Sequence, residues 1–167
     1  MRPGRPGPVT RVLLVAGPVL VLDQITKAVA LGRLTPGVPI DLVDGVLALT
    51  LVMNPGLAFG LLAGLPAAWR WLVAALSMVA LIVLARVALR VLPQGGWPAR
   101  LAIGLIFGGA TGNLIDRARF GAVVDFVDVH WRGYHWPAFN VADSAITVGV
   151  LLLALRLMGK HPAPAPG

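Results

Sequence analysis

Residues 71–85 of the chain read WLVAALSMVALIVLA, a run without a single ionisable side chain. The run lies inside a longer apolar stretch, residues 69–92, and about 20 apolar residues are enough to cross the hydrocarbon core of a bilayer as a helix. Hydrophobic residues make up 57% of the 167 residues and charged residues only 13%, with a mean hydropathy of +0.84. A water-soluble domain of this size cannot bury that much apolar surface. The bilayer is therefore predicted to be the solvent for most of the chain.

Three further apolar stretches of membrane-spanning length occur in the sequence, at about residues 12–31, 98–116 and 138–158. Together with residues 69–92, they predict an all-α integral membrane protein with four transmembrane helices. One membrane domain is predicted to cover residues 11–159.

The segments outside the four stretches differ in composition. Residues 1–10 are basic and rich in Pro and Gly, which predicts a flexible leader, and residues 160–167 are predicted to form a short tail. The loop at residues 32–66 is β-branched and partly alternating between Val38 and Met53, which predicts short strands. We expect this loop to form a small extracytoplasmic β element.

The segment before the fourth apolar stretch, residues 118–135, mixes polar and aromatic side chains and is predicted to be a second external loop. Three aspartates are expected to be solvated loop acids, namely Asp41, Asp44 and Asp128.

The distribution of charge along the chain predicts its orientation. Eight of the 14 Lys and Arg residues, and none of the seven aspartates, lie on the membrane side that carries both termini. Because cytoplasmic segments are enriched in Lys and Arg, both termini are predicted to be cytoplasmic and every carboxylate to face the other side. The cations occur singly or in small groups without a basic stripe, so nucleic acid is not an expected partner.

The catalytic options of this chain are few. It has no cysteine, no glutamate, three histidines and two serines. Thiol catalysis is excluded, no His-Glu-x-x-His zinc motif is present, and nothing in the sequence places a serine beside a histidine. Neither a metal nor another cofactor is predicted. The remaining hydrolytic route is a pair of aspartates, since two close carboxylates share one proton and so supply an acid and a base.

Four polar clusters stand out against the apolar background, at the predicted outer ends of different helices. They are Asp23–Lys27, Asn54–Gly60, Gly108–Arg117 with Gly121–Phe126, and Phe139–Ile146. Each cluster has a structural interpretation of its own: an i,i+4 ion pair in the first, a tight turn in the second, close packing of glycines in the third and helix capping in the fourth. The functional alternative is that the clusters together line a substrate cavity.

Local context favours two of the aspartates as a catalytic pair. Asp116 is followed by Arg117, and an ion pair with that cation would keep its carboxyl group ionised. Asp125 and Asp143 have small or apolar neighbours and no adjacent cation. Such a setting favours the protonated form of a carboxyl group and suits it to acid–base catalysis. Asp125 and Asp143 are therefore the predicted pair.

Taken together and in this order, five motifs resemble those of the lipoprotein signal peptidases (signal peptidase II), the intramembrane aspartyl proteases of bacteria. The motifs are Asp23-Gln24…Lys27, Asn54-Pro-Gly-Leu-Ala-Phe-Gly60, Gly112-Asn-Leu-Ile-Asp-Arg117, Val123-Val-Asp-Phe126 and Phe139-Asn-Val-Ala-Asp-Ser-Ala-Ile146. They extend over most of the chain.

The resemblance implies an aspartic endopeptidase of the bacterial cytoplasmic (inner) membrane. Its substrates would be diacylglyceryl-modified prolipoproteins, cut before the lipidated cysteine, with Asp125 and Asp143 as the catalytic dyad at the outer face. Eight residues would bind the substrate or shape its pocket: Asp23, Lys27, Asn54, Gly56, Asn113, Asp116, Arg117 and Asn140. The partners implied are membrane lipids and, as an inhibitor, the peptide antibiotic globomycin, and no cofactor is required.

Two other functions stay open on the residues alone. Ionisable groups in membrane helices also mark ion pathways, so a small proton-coupled transporter is one alternative. A transporter is expected to carry such groups near mid-span, whereas residues 71–85 have none. A non-catalytic membrane scaffold is the other alternative, although it has no need for two aspartates without an adjacent cation.

Overall fold

The computed structural model describes residues 7–56, 70–92 and 96–158, which are mostly helical with one small antiparallel sheet. The helices are α1 (Pro8–Arg33), α2 (Arg70–Val91), α3 (Trp97–Phe120) and α4 (Val141–Met158). The strands are β1 (Ile40–Val43), β2 (Leu47–Asn54), β3 (Val123–Trp131) and β4 (Tyr134–His135). Each predicted apolar stretch thus corresponds to one helix. The predicted tail, most of the predicted leader and the end of the loop at residues 32–66 lie outside the described residues.

Helix α1 begins at Pro8, inside the predicted leader, with a proline in its first turn. Two further helix limits differ from the predicted ones for local reasons. Helix α3 continues to Phe120 and ends where Gly121 adopts a φ of 68°, a left-handed conformation that glycine adopts readily. The N–H of Gly121 donates to the carbonyl oxygen of Arg117 at 3.0 Å. Helix α4 begins only at Val141, because Asn140 caps its first turn.

Helix α3 is the central helix of the bundle and packs against α1, α2 and α4. Its buried positions are mostly small residues, which allow neighbouring backbones to approach closely. Gly104 and Gly108 face α1, where a Cβ atom would overlap Val15 or the carbonyl oxygen of Ala16. Gly109 faces α4 in the same way. Close helix packing is therefore the structural role of Gly104, Gly108 and Gly109.

Replacing Gly109 with alanine is expected to loosen the contact between α3 and α4, because the new Cβ atom would overlap the carbonyl oxygen of Ala142. Overpacking of this kind costs about 1–3 kcal/mol. Thermal unfolding of Gly109→Ala in detergent should show a lower midpoint than the wild type. Gly17→Ala on α1 is the matched control, since nothing lies within 4 Å of its Cβ position. Equal midpoints for the two variants would contradict the packing role.

The outer faces of α1, α2 and α4 are apolar and exposed. Among the exposed side chains are Leu13, Leu14, Val21 and Ile25 on α1, Val79 and Val83 on α2, and Leu151 and Leu155 on α4. Helix α1 and residues 71–90 of α2 are long and apolar enough to cross a membrane. Exposed apolar faces of this extent suit contact with lipid chains rather than with water.

The sheet has the strand order β1-β2-β3-β4, and all neighbouring strands are antiparallel. The hairpin of β1 and β2 confirms the strands predicted within the loop at residues 32–66. The prediction of a second loop at residues 118–135 is wrong, because residues 123–131 form a strand that pairs with β2. The first four residues of β3 are all buried, so this strand lacks the alternation that marks a strand with one exposed face.

The turn between β3 and β4 consists of Arg132 and Gly133, which have φ values of 51° and 82°. Positive φ at both central residues is the geometry of a type I′ turn, which matches the twist of a tight hairpin. Asp41 and Asp128 therefore lie on strands, β1 and β3, rather than in loops, and Asp44 lies in the turn between β1 and β2. Asp41 and Asp44 are exposed, as expected of solvated acids.

The sheet is joined to the helices through the first part of β3. Phe126 packs in an apolar cluster with Ala30 and Leu34 at the end of α1. This contact brings Asp125, and Asn54 from the end of β2, close to the beginning of α4.

Candidate active site

A buried ion-pair cluster lies between α1 and α3. The ammonium nitrogen Nζ of Lys27 is 2.9 Å from Asp23 Oδ2 and 2.7 Å from Asp116 Oδ2. The three side chains are at most 2% exposed. The i,i+4 pair predicted from the sequence is therefore present, and α3 adds a second carboxylate to it. Among the described residues, the ion-pair partner of Asp116 is Lys27, so the predicted pair with Arg117 is wrong.

The remaining oxygen atoms of the two carboxylates bind other elements. Asp23 Oδ1 accepts a hydrogen bond at 2.9 Å from the N–H of Ala142, in the first turn of α4, where the helix dipole favours a negative charge. Asp116 Oδ2 also accepts from the N–H of Val124 at 3.2 Å, and its Oδ1 accepts from Gln24 Nε2 at 3.0 Å. The ion-pair cluster thus fixes α1, α3, β3 and α4 to one another.

Asn113 connects the ion-pair cluster to Asp143. Its Oδ1 accepts a hydrogen bond from Lys27 Nζ at 2.8 Å, and its Nδ2 donates to Asp143 Oδ1 at 2.7 Å. Because the ammonium group is a donor only, Oδ1 of Asn113 must face Lys27 and Nδ2 must face Asp143. The lysine therefore determines which way the amide that holds Asp143 is turned.

Asn140 connects the two predicted catalytic aspartates. Its Oδ1 accepts from the N–H of Asp143 at 2.9 Å, which is the helix cap that the sequence predicted. Its Nδ2 donates to Asp125 Oδ1 at 2.7 Å. A fully buried asparagine thus holds the carboxyl group of one aspartate and the backbone of the other.

Asp125 is buried, and both of its oxygen atoms accept amide hydrogen bonds. Besides the bond from Asn140, Asn54 Nδ2 donates to Asp125 Oδ2 at 3.0 Å. Burial, and next the negative charge of Asp143, raise the pKa of Asp125 to about 7, against the lowering effect of the two hydrogen bonds and of the Lys27 charge. The carboxyl group of Asp125 therefore exchanges a proton near neutral pH, as an acid–base catalyst requires.

Arg117 supports the turn that carries Asn54. Its Nη2 donates to the carbonyl oxygen of Gly56 at 2.8 Å, and the N–H of Gly56 donates to Asn54 Oδ1 at 3.0 Å. The tight turn predicted at Asn54 is therefore held from both sides, and the amide nitrogen of Asn54 is left to face Asp125.

A cavity of about 910 Å³ opens beside this network, between α2, α3, α4 and residues 136–139. At its polar end it is lined by Asn54, Asn113, Arg117 and Asp143. Most of its other lining is apolar, with side chains such as Leu81, Ile106 and Leu151. Asp143 reaches the cavity directly, and Asp125 is joined to it by the hydrogen bonds of Asn54 and Asn140. The arrangement offers an apolar chamber that ends at a pair of carboxyl groups.

All ten residues singled out in the sequence belong to this one network. One further member, Gln24, was quoted within a motif but not selected as a site residue. Its Nε2 lies within hydrogen-bonding distance of Asp116 Oδ1, Asp23 Oδ2 and the carbonyl oxygen of Gly112. Its position next to Asp23 in a long apolar stretch is the sequence signal that points to it, since an amide in apolar surroundings also needs a polar partner.

Comparisons with known proteins agree over nearly the whole chain. The family described as signal peptidase (SPase) II matches residues 15–159. A lipoprotein signal peptidase of Geobacter sulfurreducens is 46% identical over 147 residues, which cover 88% of this chain and 91% of that protein. A lipoprotein signal peptidase of Rhodococcus jostii is 41% identical over 169 residues, 94% of this chain and 80% of that protein.

One solved structure, described as a bacterial membrane enzyme obtained by the in meso method at 2.3 Å resolution, has a TM-score of 0.72. It is 30% identical in sequence, and the alignment covers 93% of this chain and 94% of that one. The region matched by the family includes every residue of the buried network.

Proposed function

Since the chain belongs to the signal peptidase II family, whose members are proteases that remove signal peptides from prolipoproteins, we propose that Asp125 and Asp143 are the catalytic pair of this protein. The observation that carries the proposal is Asn140, which binds the Asp125 carboxyl group through Nδ2 and the Asp143 N–H through Oδ1. It is supported by the pKa of Asp125, which the charge of Asp143 helps to raise.

In the proposed mechanism, a water molecule between the two carboxyl groups attacks the carbonyl carbon of the scissile peptide bond. The carboxylate of Asp143 takes a proton from that water, while protonated Asp125 gives its proton to the carbonyl oxygen. The tetrahedral intermediate then breaks at the C–N bond, as Asp143 delivers its proton to the leaving nitrogen and Asp125 recovers one from the hydroxyl group. Both carboxyl groups return to their starting states.

Asn113 and Asn140 keep this pair in place during the reaction. Two amide donors on Asp125 limit the positions that its carboxyl group can take, and Asn113 does the same for Asp143. Positioning of this kind lowers the barrier because the reacting groups need no reorganisation. Asn54 is the second amide donor to Asp125. The other residues of the network shape the pocket by holding these amides: Asp23, Lys27, Gly56, Asp116 and Arg117.

We further propose that all four helices span the inner membrane, with both termini in the cytoplasm and the carboxyl pair at the outer boundary. The exposed apolar faces of α1, α2 and α4 support the spans. The excess of Lys and Arg on the side of the termini supports the orientation. In this arrangement the sheet lies on the outer surface, next to the end of the cavity that carries Asp143.

The cavity supports a lipid-modified substrate. Its polar end carries Asp143, and its long apolar wall suits the hydrophobic part of a signal peptide or an acyl chain. We expect the bond before the lipidated cysteine of a diacylglyceryl-modified prolipoprotein to lie at the carboxyl pair. Globomycin is expected to inhibit by occupying the same cavity.

The requirement for the lipid is tested by supplying purified protein with one prolipoprotein in two forms, with and without the diacylglyceryl group. We expect cleavage of the modified form at the peptide bond immediately before the cysteine, with mass spectrometry giving the position of the cut. Equal cleavage of both forms would contradict the lipid requirement. A protein that cuts neither form, but moves protons across vesicles, would instead support a transporter.

The pH dependence follows from the pKa of Asp125. Its carboxyl group is protonated below about pH 7 and loses the proton above it. Because the proposed mechanism needs that proton, kcat/KM should fall about tenfold per pH unit above the midpoint. Asn54→Ala removes a hydrogen bond that lowers this pKa, so it should shift the alkaline midpoint to higher pH. A midpoint in Asn54→Ala that stays the same or shifts downward would contradict this role for Asp125.

A further inference from the structure

The hairpin of β3 and β4 carries a second cluster of polar side chains, which the proposed reaction does not use. Asp128 and His130 are two residues apart on β3 and so project from the same face of the strand. His135 on β4 lies directly opposite His130 in the antiparallel pairing. Among the described residues, these three form the one group in which at least three His or Asp ligand atoms gather within 4.8 Å of one another.

The distances within the cluster resemble those between ligands of one metal ion. His135 Nδ1 is 2.9 Å from Asp128 Oδ2, and His130 Nδ1 is 3.8 Å from the same oxygen. In a tetrahedral zinc site with bonds of about 2.0 Å, neighbouring ligand atoms are about 3.3 Å apart. Small side-chain movements would therefore bring all three atoms to coordinating positions.

His130 supplies an independent reason to expect a ligand. Its Nδ1 is buried and, within the described ranges, has no hydrogen-bond partner. The side chain is only 14% exposed. A buried polar atom left without a partner costs free energy, and a cation between the three side chains would satisfy it. The rings of His130 and His135 also stack, with centroids 4.9 Å apart, which keeps their ligand atoms on one side of the sheet.

We propose that Asp128, His130 and His135 bind a divalent zinc ion. Two imidazoles and one carboxylate favour zinc over magnesium or calcium, which prefer oxygen ligands alone. The fourth position is open to water, since His135 is 58% exposed. The sequence spacing of the three ligands is not that of a common zinc motif. The third ligand, His135, follows the two-residue turn and lies opposite His130 through strand pairing.

A zinc ion here would link the hairpin strands at the rim of the active-site cavity. Strand β4 is followed at once by residues 136–139, which line that cavity. The N–H of Trp136 already donates to the carbonyl oxygen of Val129 at 2.8 Å. The ion would add a side-chain link to the backbone pairing of β3 and β4. Because it binds the folded hairpin, it would stabilise the folded protein against unfolding.

The experiment is a calorimetric titration of zinc chloride into purified protein that carries no histidine tag, in a detergent buffer without chelators. We expect one zinc ion per chain, with binding at least about tenfold weaker in His135→Ala and in His130→Gln. Zinc should raise the unfolding midpoint of the wild type and not that of the variants. His161→Ala is the matched control, because His161 is the chain's third histidine and is not one of the three proposed ligands.

Magnesium chloride, added instead of zinc, should give neither heat nor a shift in the midpoint. The proposal is overturned if the wild type binds no zinc in stoichiometric amount, or if binding survives both variants unchanged. Loss of binding in His161→Ala alone would equally overturn it. The unfolding midpoints of the variants without zinc show whether they are folded, and His130→Gln retains a polar side chain in case the smaller alanine is not tolerated.

Discussion

Asp125→Asn and Asp143→Asn are each expected to abolish cleavage of a lipidated prolipoprotein while the protein stays folded. Each change preserves the size of the side chain and removes its ability to accept or deliver a proton. The loss of a positioned acid or base lowers the rate by about 10²–10⁴-fold. We expect the double variant to cleave little more slowly than either single variant, since the rate losses of two residues that act as a unit are not additive. The measurement is the initial rate of cleavage by purified protein.

Asp44→Asn is the matched control for these variants, because Asp44 is exposed in the turn between β1 and β2. It should cleave at the wild-type rate. A folded Asp125→Asn or Asp143→Asn protein that cleaves at that rate would rule out the proposed pair. If Asp116→Asn alone abolished cleavage without unfolding the protein, Asp116 would have to replace Asp125 in the mechanism.

Lys27→Met is expected to destabilise the protein more than any other single change considered for this chain. It leaves the carboxylates of Asp23 and Asp116 buried without their cation. Removing one partner of a buried ion pair costs about 3–5 kcal/mol, which corresponds to roughly 6–20 °C in unfolding midpoint for a chain of this size. Activity should fall as well, because Asn113 loses the hydrogen bond that orients its amide toward Asp143.

Arg33→Met at the exposed end of the same helix is the control, and its midpoint should stay close to that of the wild type. The double variant of Lys27→Met with Asp116→Asn removes one of the two uncompensated charges. It should therefore be more stable than Lys27→Met alone, although Asp116→Asn destabilises the wild type. The wild type, the two single variants and the double variant form a double-mutant cycle. If the losses in unfolding free energy of the single variants add up to that of the double variant, Lys27 and Asp116 do not interact.

The parts of the site that could be predicted are those encoded within a single helix or turn. The spacing of Asp23 and Lys27 predicts their ion pair, and the position of Asn140 predicts its role as a helix cap. What joins these pieces depends on the packing of α3. Asp116 reaches Lys27 because Gly112 has no side chain where α1 and α3 meet, and a Cβ atom there would overlap Asp23.

The second function of each asparagine was beyond prediction for the same reason. The side chains of Asn113 and Asn140 each have an oxygen atom that accepts and a nitrogen atom that donates a hydrogen bond. Residues nearby in sequence account for the partner of at most one of these two atoms. The partners Lys27 and Asp125 lie 86 and 15 residues away in the chain. The ion-pair partner of Asp116 differs from the predicted one because Arg117, its neighbour in sequence, projects from another side of α3, where it binds Gly56.

The strands of the β element also differ in how far local sequence predicts them. Strands β1 and β2 form a local hairpin whose β-branched pattern is visible in the sequence. Strand β3 depends on β2 for its hydrogen bonds, and it is covered where it meets the helices, so its pattern is not that of a strand with one exposed face. The sequence therefore predicts a loop where Asp125 lies on a strand, although Asp125 itself belongs to the network.

The ion pair of Asp23 and Lys27 also bears on how the chain enters a bilayer. Insertion of a lone charged side chain at the centre of a helix costs about 2.5–3.5 kcal/mol. Asp23 and Lys27 are one helical turn apart, so their charges cancel within α1. This neutralisation does not depend on any other helix. Asp116, in contrast, finds its cation only when α3 docks against α1. If α1 spans the membrane as proposed, Lys27 would neutralise Asp23 within α1 during insertion and would bind Asp116 once α3 packs against α1.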